Sequence, residues 1–350
     1  MAKFVNSAFI EFLNNTVNID ASESINAKKS RDYLITQINN ISKNGKFIKL
    51  APQFNCFFGS FSRKTKICEL DDVDIIIGLN GGDLTIEGTQ WDNMSLKINQ
   101  DCNDNVLYNL SDKISAYWQP EAYYLNSNKV KNVLVSELSN ISQYEKADIH
   151  ARGEAVTLKL KSYSWNFDIV PAFYYPGDTN TKPYYLIPNG KGKWKKTNPK
   201  IEQNRITDLN IKFNDTVLKT VRVVKYWNIR GKMPNITSYV LETIVLDYFD
   251  QANHYMMKDD GTSVDYFDVH FKNALNYISN HIFGSVIDSK GIQGNINNLQ
   301  YDQKYKIHQR AKSDYERAKN AVYAEIDEKD NKKSINIWRD IFGEDFPKYE

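Results

Sequence analysis

Asp72 and Asp74 stand one residue apart in the stretch "DDVDIIIGL", where a buried strand would carry Val or Ile. Residues i and i+2 of a strand leave the same face, roughly 6.5 to 7 Å apart at the backbone, so both carboxylates can point at one place. Asp168 interrupts a second apolar run, "WNFDIVPAF", in the same manner. A carboxylate inside an apolar strand is costly unless it is paired or coordinated. If the two strands are neighbours, three carboxylates converge, and a divalent cation among them offsets their repulsion. Magnesium favours oxygen ligands and phosphates, and two such ions about 3.5 to 4 Å apart can hold the attacking and leaving oxygens of a phosphoryl displacement. Upstream, the Gly59-Ser60 turn offers the complementary half. Glycine lets backbone amides approach a phosphate, and a serine hydroxyl at a helix N-terminus adds a further contact. A Gly-Ser pair or an Asp-x-Asp by itself usually caps a turn or faces solvent; the combination is what points to metal-assisted phosphoryl transfer.

The acid before the pair needs a separate reading. Period two from Asp74 selects Asp72, so Asp71 should face the other side or accept a local turn hydrogen bond, and Glu69 reads as surface.

These residues need elements to hold them. Apolar residues recur at helical spacing in "AFIEFLNNTV" and "SESINAKKSRDYLITQINNISKN", with Ser22 or Ser24 as possible caps. Residues 54–77 then read as a short aromatic strand, a Gly-Ser turn opening a helix, and the strand of the acids. "VLYNLSDKISAYW" reads as a helix, a polar middle section follows, and "AVTLKLKSYSWNFDIVPAFYY" gives two strands, the second ending at Pro171. Pro183, Pro188, Pro199, Gly190 and Gly192 punctuate a loop that sets a boundary near residue 200. Beyond it "DTVLKTVRVVKYWNI", "TSYVLETIVLDYFDQA", "SVDYFDVHFKNALNYISNHI", "DQKYKIHQRAKSDYERAKNAVYAEI" and "KSINIWRDIFG" are helical. The predicted organisation is a lobe of residues 1–200 carrying the N-terminal helices and a helical lobe of residues 201–350.

Bulk composition narrows the class. A hydrophobic share of 41% and a charged share of 25% suit a globular protein, and 350 residues exceed one typical core. A net charge of +2 argues against a protein that coats nucleic acid. Lys182, Lys191, Lys193, Lys195, Lys196 and Lys200 form a local basic patch that reads first as a solvated loop. Cys56, Cys68 and Cys102 show no CxxC spacing, which signals neither a disulfide framework nor a zinc knuckle. The opening "MAKFVNSAFIEFLNN" lacks the apolar core of a secretion signal and no run is long enough to span a bilayer, so the expected location is the cytoplasm.

"GSFSRKT", "DDVDIII" and "FDIVPAF", together with "YYLIPNGKGKWKKTNP", "VVKYWN", "SYVLE" and "IWRDIFGEDFP", resemble the polymerase-β-type nucleotidyltransferases. Within them they resemble the CD-NTases, bacterial relatives of cyclic GMP-AMP synthase and oligoadenylate synthetase. The motifs span most of the chain. The resemblance implies an α+β fold, with a mixed-sheet nucleotidyltransferase core, an α-helical C-terminal lobe and an active site in the cleft between them.

It also implies roles. Asp72 and Asp74 would hold two Mg2+ ions, with Mn2+ able to substitute, and Asp168 would complete one site and help activate the attacking ribose hydroxyl. Gly59 and Ser60 would clasp the triphosphate, Lys225 and Ser238 would reach phosphates, and Tyr239 would stack on a base. On the residues alone, Tyr239 and Trp227 fall in helical patterns where an aromatic is as readily core. Lys225 interrupts "VRVVKYW" as a cation among apolar residues, explained either by a phosphate partner or by a stem that snorkels to solvent.

The implied activity is template-independent joining of ribonucleoside triphosphates into a cyclic di- or trinucleotide, with release of pyrophosphate. The product would activate a separate effector protein in a CBASS-type anti-phage system in the bacterial cytoplasm, made by a monomer. The chain has no cysteine and histidine cluster, so no DNA or RNA activator is implied. The alternatives are a nucleotidyltransferase making linear oligonucleotides or modifying RNA or protein, and a silent nucleotide-binding module. Three crowded carboxylates speak against the module, since a pure binder would gain nothing from them.

Overall fold

The computed structural model describes residues 2–41, 45–116, 119–231, 234–252 and 267–350. The chain forms two compact units, one made of Met1–Asp20, Arg63–Glu69 and Ile201–Glu350 and the other of Ala21–Ser62 and Leu70–Lys200. The second is the sheet unit and the first the helical unit.

The sheet unit begins with α2 (Ala21–Ile41), after α1 (Val5–Phe12), which belongs to the helical unit. There follow β1 (Cys56–Phe58), the single turn α3 (Gly59–Ser62) and β2 (Asp72–Leu79). Next come β3 (Leu84–Glu87), β4 (Ser95–Ile98), α4 (Asn105–Asn109), β5 (Ser111–Ala116), β6 (Gln119–Leu125) and α5 (Ser127–Ser139). The unit ends with β7 (Asp148–Arg152), β8 (Ala155–Lys159), β9 (Asn166–Tyr175), β10 (Tyr184–Pro188) and β11 (Trp194–Thr197).

Seven of these strands make one sheet, ordered β1-β2-β9-β10-β11, with the β7–β8 hairpin joined to β9 through β8. Strands β2 and β9 run parallel and the other pairs antiparallel, which is the mixed sheet expected from the sequence. Ile76, Val170, Ala172, Tyr185 and Ile187 form a core with Phe54 and Tyr174 packed on it. Helix α5 packs on β7, β8 and β10, and β2 is buried at Val73 and continuously from Ile75 to Leu79. That two-sided burial is why both central strands read as near-continuous apolar runs.

The helical unit contains α1, α6 (Pro199–Lys212, entering it at Ile201), α7 (Thr216–Arg230), α8 (Ser238–Gln251), α9 (Phe267–His281), α10 (Tyr301–Ile326) and α11 (Asn331–Phe342). Val5, Ala8, Phe9 and Phe12 put one apolar stripe of α1 into its core, where the Phe9 ring lies 5.0 Å from Trp338 and 4.9 Å from Phe346. No described helix is long and apolar enough to cross a membrane.

Several expectations are corrected. The stripe of α1 finds its partners in α9 and α11, so this helix groups with the C-terminal helices instead of flanking the sheet. The predicted helix over "VLYNLSDKISAYW" is the short α4 followed by strand β5, because Ser111–Ile114 pair with β6. The polar middle section holds a four-stranded sheet, ordered β3-β4-β6-β5, and helix α5, whose cap Asn126 accepts from the Asn128 amide at 2.9 Å. Strand β9 continues past Pro171 to Tyr175. It pairs with β8 up to Ile169 and with β10 from Phe173, so Pro171 falls in the interval between those two ladders while it stays in register with Ile77 of β2 on the other side. Residues 263–266, read as the start of α9, lie outside the described residues.

Candidate active site

The parallel pairing of β2 with β9 sets Asp74 directly beside Asp168, and Asp72 beside Asn166. Asp72, Asp74 and Asp168 alternate with buried Val73, Ile75, Phe167 and Ile169, so all three leave the same sheet face, each half-buried. One carboxylate oxygen from each lies within 4.8 Å of the others. Three hard oxygen donors so gathered could hold a divalent cation. Asp71 is exposed and its carbonyl accepts from the Asn166 amide at 2.8 Å; Glu69 is exposed as well.

Strand β1 closes the other edge, with Phe58 paired to Asp74. Gly59 follows with φ +73°, and a Cβ added there would lie 1.7 Å from Asp74 Oδ2. Only glycine permits both that backbone and that approach. Ser60, half-buried, is the next residue of α3.

Thr157 was not identified from the sequence. It pairs with Asp168 across β8 and β9, and its Oγ1 donates to Asp168 Oδ1 at 2.7 Å. This hydrogen bond fixes the carboxylate's orientation and leaves the other oxygen for a ligand. The only signal available was a threonine in "AVTLK", which carries no meaning until the strand register is known.

The remaining predicted residues lie in the helical unit. Lys225 on α7 is buried, and its Nζ lies 2.5 Å from Glu242 Oε1 and donates to the Thr65 carbonyl at 3.0 Å. The cation among apolar residues therefore has a carboxylate from α8 as a partner within the helical unit. Arg63 bridges onward, with Nε 3.0 Å from Glu242 Oε2 and Nη1 3.0 Å from Glu202 Oε2. Burial pushes Glu242 up, but Arg63 and Lys225 outweigh it and hold the carboxyl below its usual range. Burial lowers Lys225, and Glu242 partly opposes the shift. An acid inside the apolar run "YVLETIVL" carries the same signal as Lys225, yet its partner is on another helix and cannot be read from the sequence.

Ser238 is exposed at the first position of α8, and Tyr239 is half-buried. The Tyr239 hydroxyl donates to Asp288, and its ionisation is pushed up by burial first, then by Glu202 and Asp288. Of the lysine patch, Lys182, Lys191, Lys193 and Lys200 are exposed, as a solvated loop would be, while Lys195 pairs with Glu154.

No family model matches the sequence. The chain is 37% identical over its whole length, and over the whole length of the relative, to a probable cyclic nucleotide synthase of Bacillus cereus strain VD146. The chain belongs to the CD-NTase family. Among solved structures, this CD-NTase matches the CdnC subunit of a CdnC:HORMA-deltaN complex from E. coli MS115-1 with TM-score 0.64 and 16% identity, covering 97% of this chain and 98% of that one. It also matches a mutant of the Vibrio cholerae di-nucleotide cyclase DncV, solved with ATP, GTP and 5MTHFGLU2, with TM-score 0.65 and 11% identity, covering 98% and 95%. At such identities these likenesses establish the fold. The CD-NTase is a nucleotidyltransferase of the cyclic oligonucleotide synthase type.

Proposed function

We propose that the protein joins ribonucleoside triphosphates into a cyclic di- or trinucleotide second messenger by metal-assisted transfer, releasing pyrophosphate at each step. The observation that carries this reading is the gathering of Asp72, Asp74 and Asp168 within 4.8 Å on one sheet face, next to a glycine turn that only glycine can form. In it, Asp72 and Asp74 hold two magnesium ions, for which manganese can substitute, and Asp168, oriented by Thr157, completes one site. Two divalent ions so held supply the positive charge that a phosphoryl displacement needs at its attacking and leaving oxygens. Asp168 also assists deprotonation of the ribose hydroxyl that attacks the α-phosphate, and the backbone of Gly59 with the Ser60 hydroxyl clasps the triphosphate.

From the helical unit, Ser238 contacts phosphate through its exposed hydroxyl, Lys225 contributes charge from the network in which Glu242 holds it, and Tyr239 stacks on a base. The substrate class is that of the V. cholerae neighbour, which is described with ATP and GTP. The role is anti-phage CBASS signalling in the bacterial cytoplasm, with a separate effector protein reading the product of a monomeric enzyme.

The test is incubation of the protein with all four ribonucleoside triphosphates and magnesium or manganese, then phosphatase treatment and mass spectrometry beside Asp72→Asn/Asp74→Asn. A phosphatase-resistant cyclic mass, absent from the folded double mutant, is the expected result. Linear products alone would replace cyclisation by oligomer synthesis, and an active double mutant would overturn the metal assignment.

A further inference from the structure

The half-buried ring of Tyr239 packs against the apolar core of the helical unit and is also held by two buried charged groups. Its hydroxyl donates to Asp288, whose other oxygen accepts from the backbone amides of Ile292 and Gln293 at 3.2 and 2.9 Å. Over the ring, Lys290 Nζ stands 3.9 Å from the centroid. That ammonium is fixed in turn, 2.5 Å from Glu202 Oε1 and 3.2 Å from Asp288 Oδ1, on a side chain only 5% exposed. A cation placed over an aromatic face is attracted by the ring quadrupole, and more strongly when water is excluded. Glu202 also accepts from Arg63, which donates to Glu242 as well, and Glu242 pairs with Lys225, so one chain of ion pairs runs from Lys225 to the Tyr239 ring.

We propose that Lys290 is a positioning residue for the nucleotide, acting through Tyr239. Held by Glu202 and Asp288, its ammonium covers one face of the ring and fixes the ring plane, so that Tyr239 presents a single, pre-set face to a base. Lys290 is too buried to meet the base itself. The inference rests on the assignment of Tyr239 as the stacking residue. Its physical basis is that a ring already immobilised loses less freedom when a base stacks on it, and the saving appears as affinity.

A double-mutant cycle in the full-length protein tests it, with 2-aminopurine riboside triphosphate as the probe. Its fluorescence reports both binding and stacking, and the KM and kcat of product formation are followed in parallel. Lys290→Met keeps the aliphatic stem and removes the charge. It is expected to weaken probe binding about tenfold, with the loss falling on KM and not on kcat. Lys290→Arg should restore most of the affinity. In the Tyr239→Ala background Lys290→Met should have no further effect, because the group it acts through is gone.

Should Lys290→Met fail to fold, Glu202→Gln, which loosens the ammonium without removing it, carries the same expectation at smaller size. A full tenfold effect that persists in Tyr239→Ala, or a loss confined to kcat, overturns the proposal. Affinity lost in Tyr239→Ala but kept in Lys290→Met overturns the role of Lys290 alone. Affinity unmoved by Tyr239→Ala overturns the stacking assignment and this proposal with it.

Discussion

The two units gather carboxylates in opposite ways. In the sheet unit, Asp72, Asp74 and Asp168 converge on one another on a partly exposed face. In the helical unit, Glu202, Glu242 and Asp288 are each set against a buried cation, at 2.5 Å for Lys290–Glu202 and Lys225–Glu242 and 3.2 Å for Lys290–Asp288. Like charges crowded on one face repel one another and attract a cation, whereas removing one partner of a buried ion pair leaves an uncompensated charge in the interior. On the proposed function, the same residue types serve ligand capture in one place and architecture in the other. Acid-to-amide substitutions should separate the two uses.

The largest effect is expected at Asp168→Asn. Loss of one ligand charge should lower product formation by about three orders of magnitude. The melting temperature should stay level or rise, because one of three mutually repelling charges has gone. A variant that melts markedly lower would mean the triad is structural.

Glu242→Gln should behave in the opposite sense. Removing the shared carboxylate leaves Arg63 and Lys225 buried with one partner fewer, a change that typically costs about 3 to 5 kcal/mol. Because the folded value of Glu242 lies below the ordinary carboxyl value, its stabilisation is present above that ordinary value and is lost as pH falls through the folded one. The deficit of Glu242→Gln relative to the parent should therefore be full at neutral pH and shrink as acid protonates the parent's carboxylate. Chemical denaturation at several pH values measures it.

A smaller loss is expected at Thr157→Val, which removes the 2.7 Å hydrogen bond to Asp168 while keeping the strand shape. A hydrogen bond to a charged group contributes about 1.5 to 3 kcal/mol, so activity should fall roughly tenfold to a hundredfold. The apparent magnesium requirement should rise in parallel, and Thr157→Ser should recover most of the loss.

What was legible in the sequence follows the same division. The acids of β2 and β9 stood out because each breaks a run of residues buried on both faces, and the register that pairs Asp74 with Asp168 turned three isolated anomalies into one cluster. Thr157 and Glu242 were invisible as partners, since neither strand register nor the meeting of α7 with α8 can be read from local pattern. The small sheet was missed because its strands β3 and β4 have four residues each, too few to show a period against a polar background. Helix α1 gave its stripe plainly but not its partners, and its place in the helical unit depends on aromatic contacts with residues more than 250 positions away, such as Phe267 and Trp338.

One further pair of acids tests the comparison at its finest scale. Asp268 on α9 and Glu325 on α10 are crowded, as the triad is, but they lie in the helical unit with Asp268 buried. Burial first, then the charge of Asp268, raises Glu325 to about 7, and burial raises Asp268 too. Ionised, neither carboxylate can donate, so a proton shared between them is expected to do here what a divalent cation would do at the triad. A folded value above the unfolded one means the native state holds its proton more tightly. The resulting stabilisation is complete below pH about 4.5 and is lost as pH rises through about 7. Glu325→Gln keeps a neutral partner for Asp268 at every pH, so the variant should melt about 2 °C above the parent at pH 8 and match it at pH 5. A difference that is independent of pH would mean the two carboxyls do not share a proton, and crowded acids in this fold would then be held together by some means other than a cation or a proton.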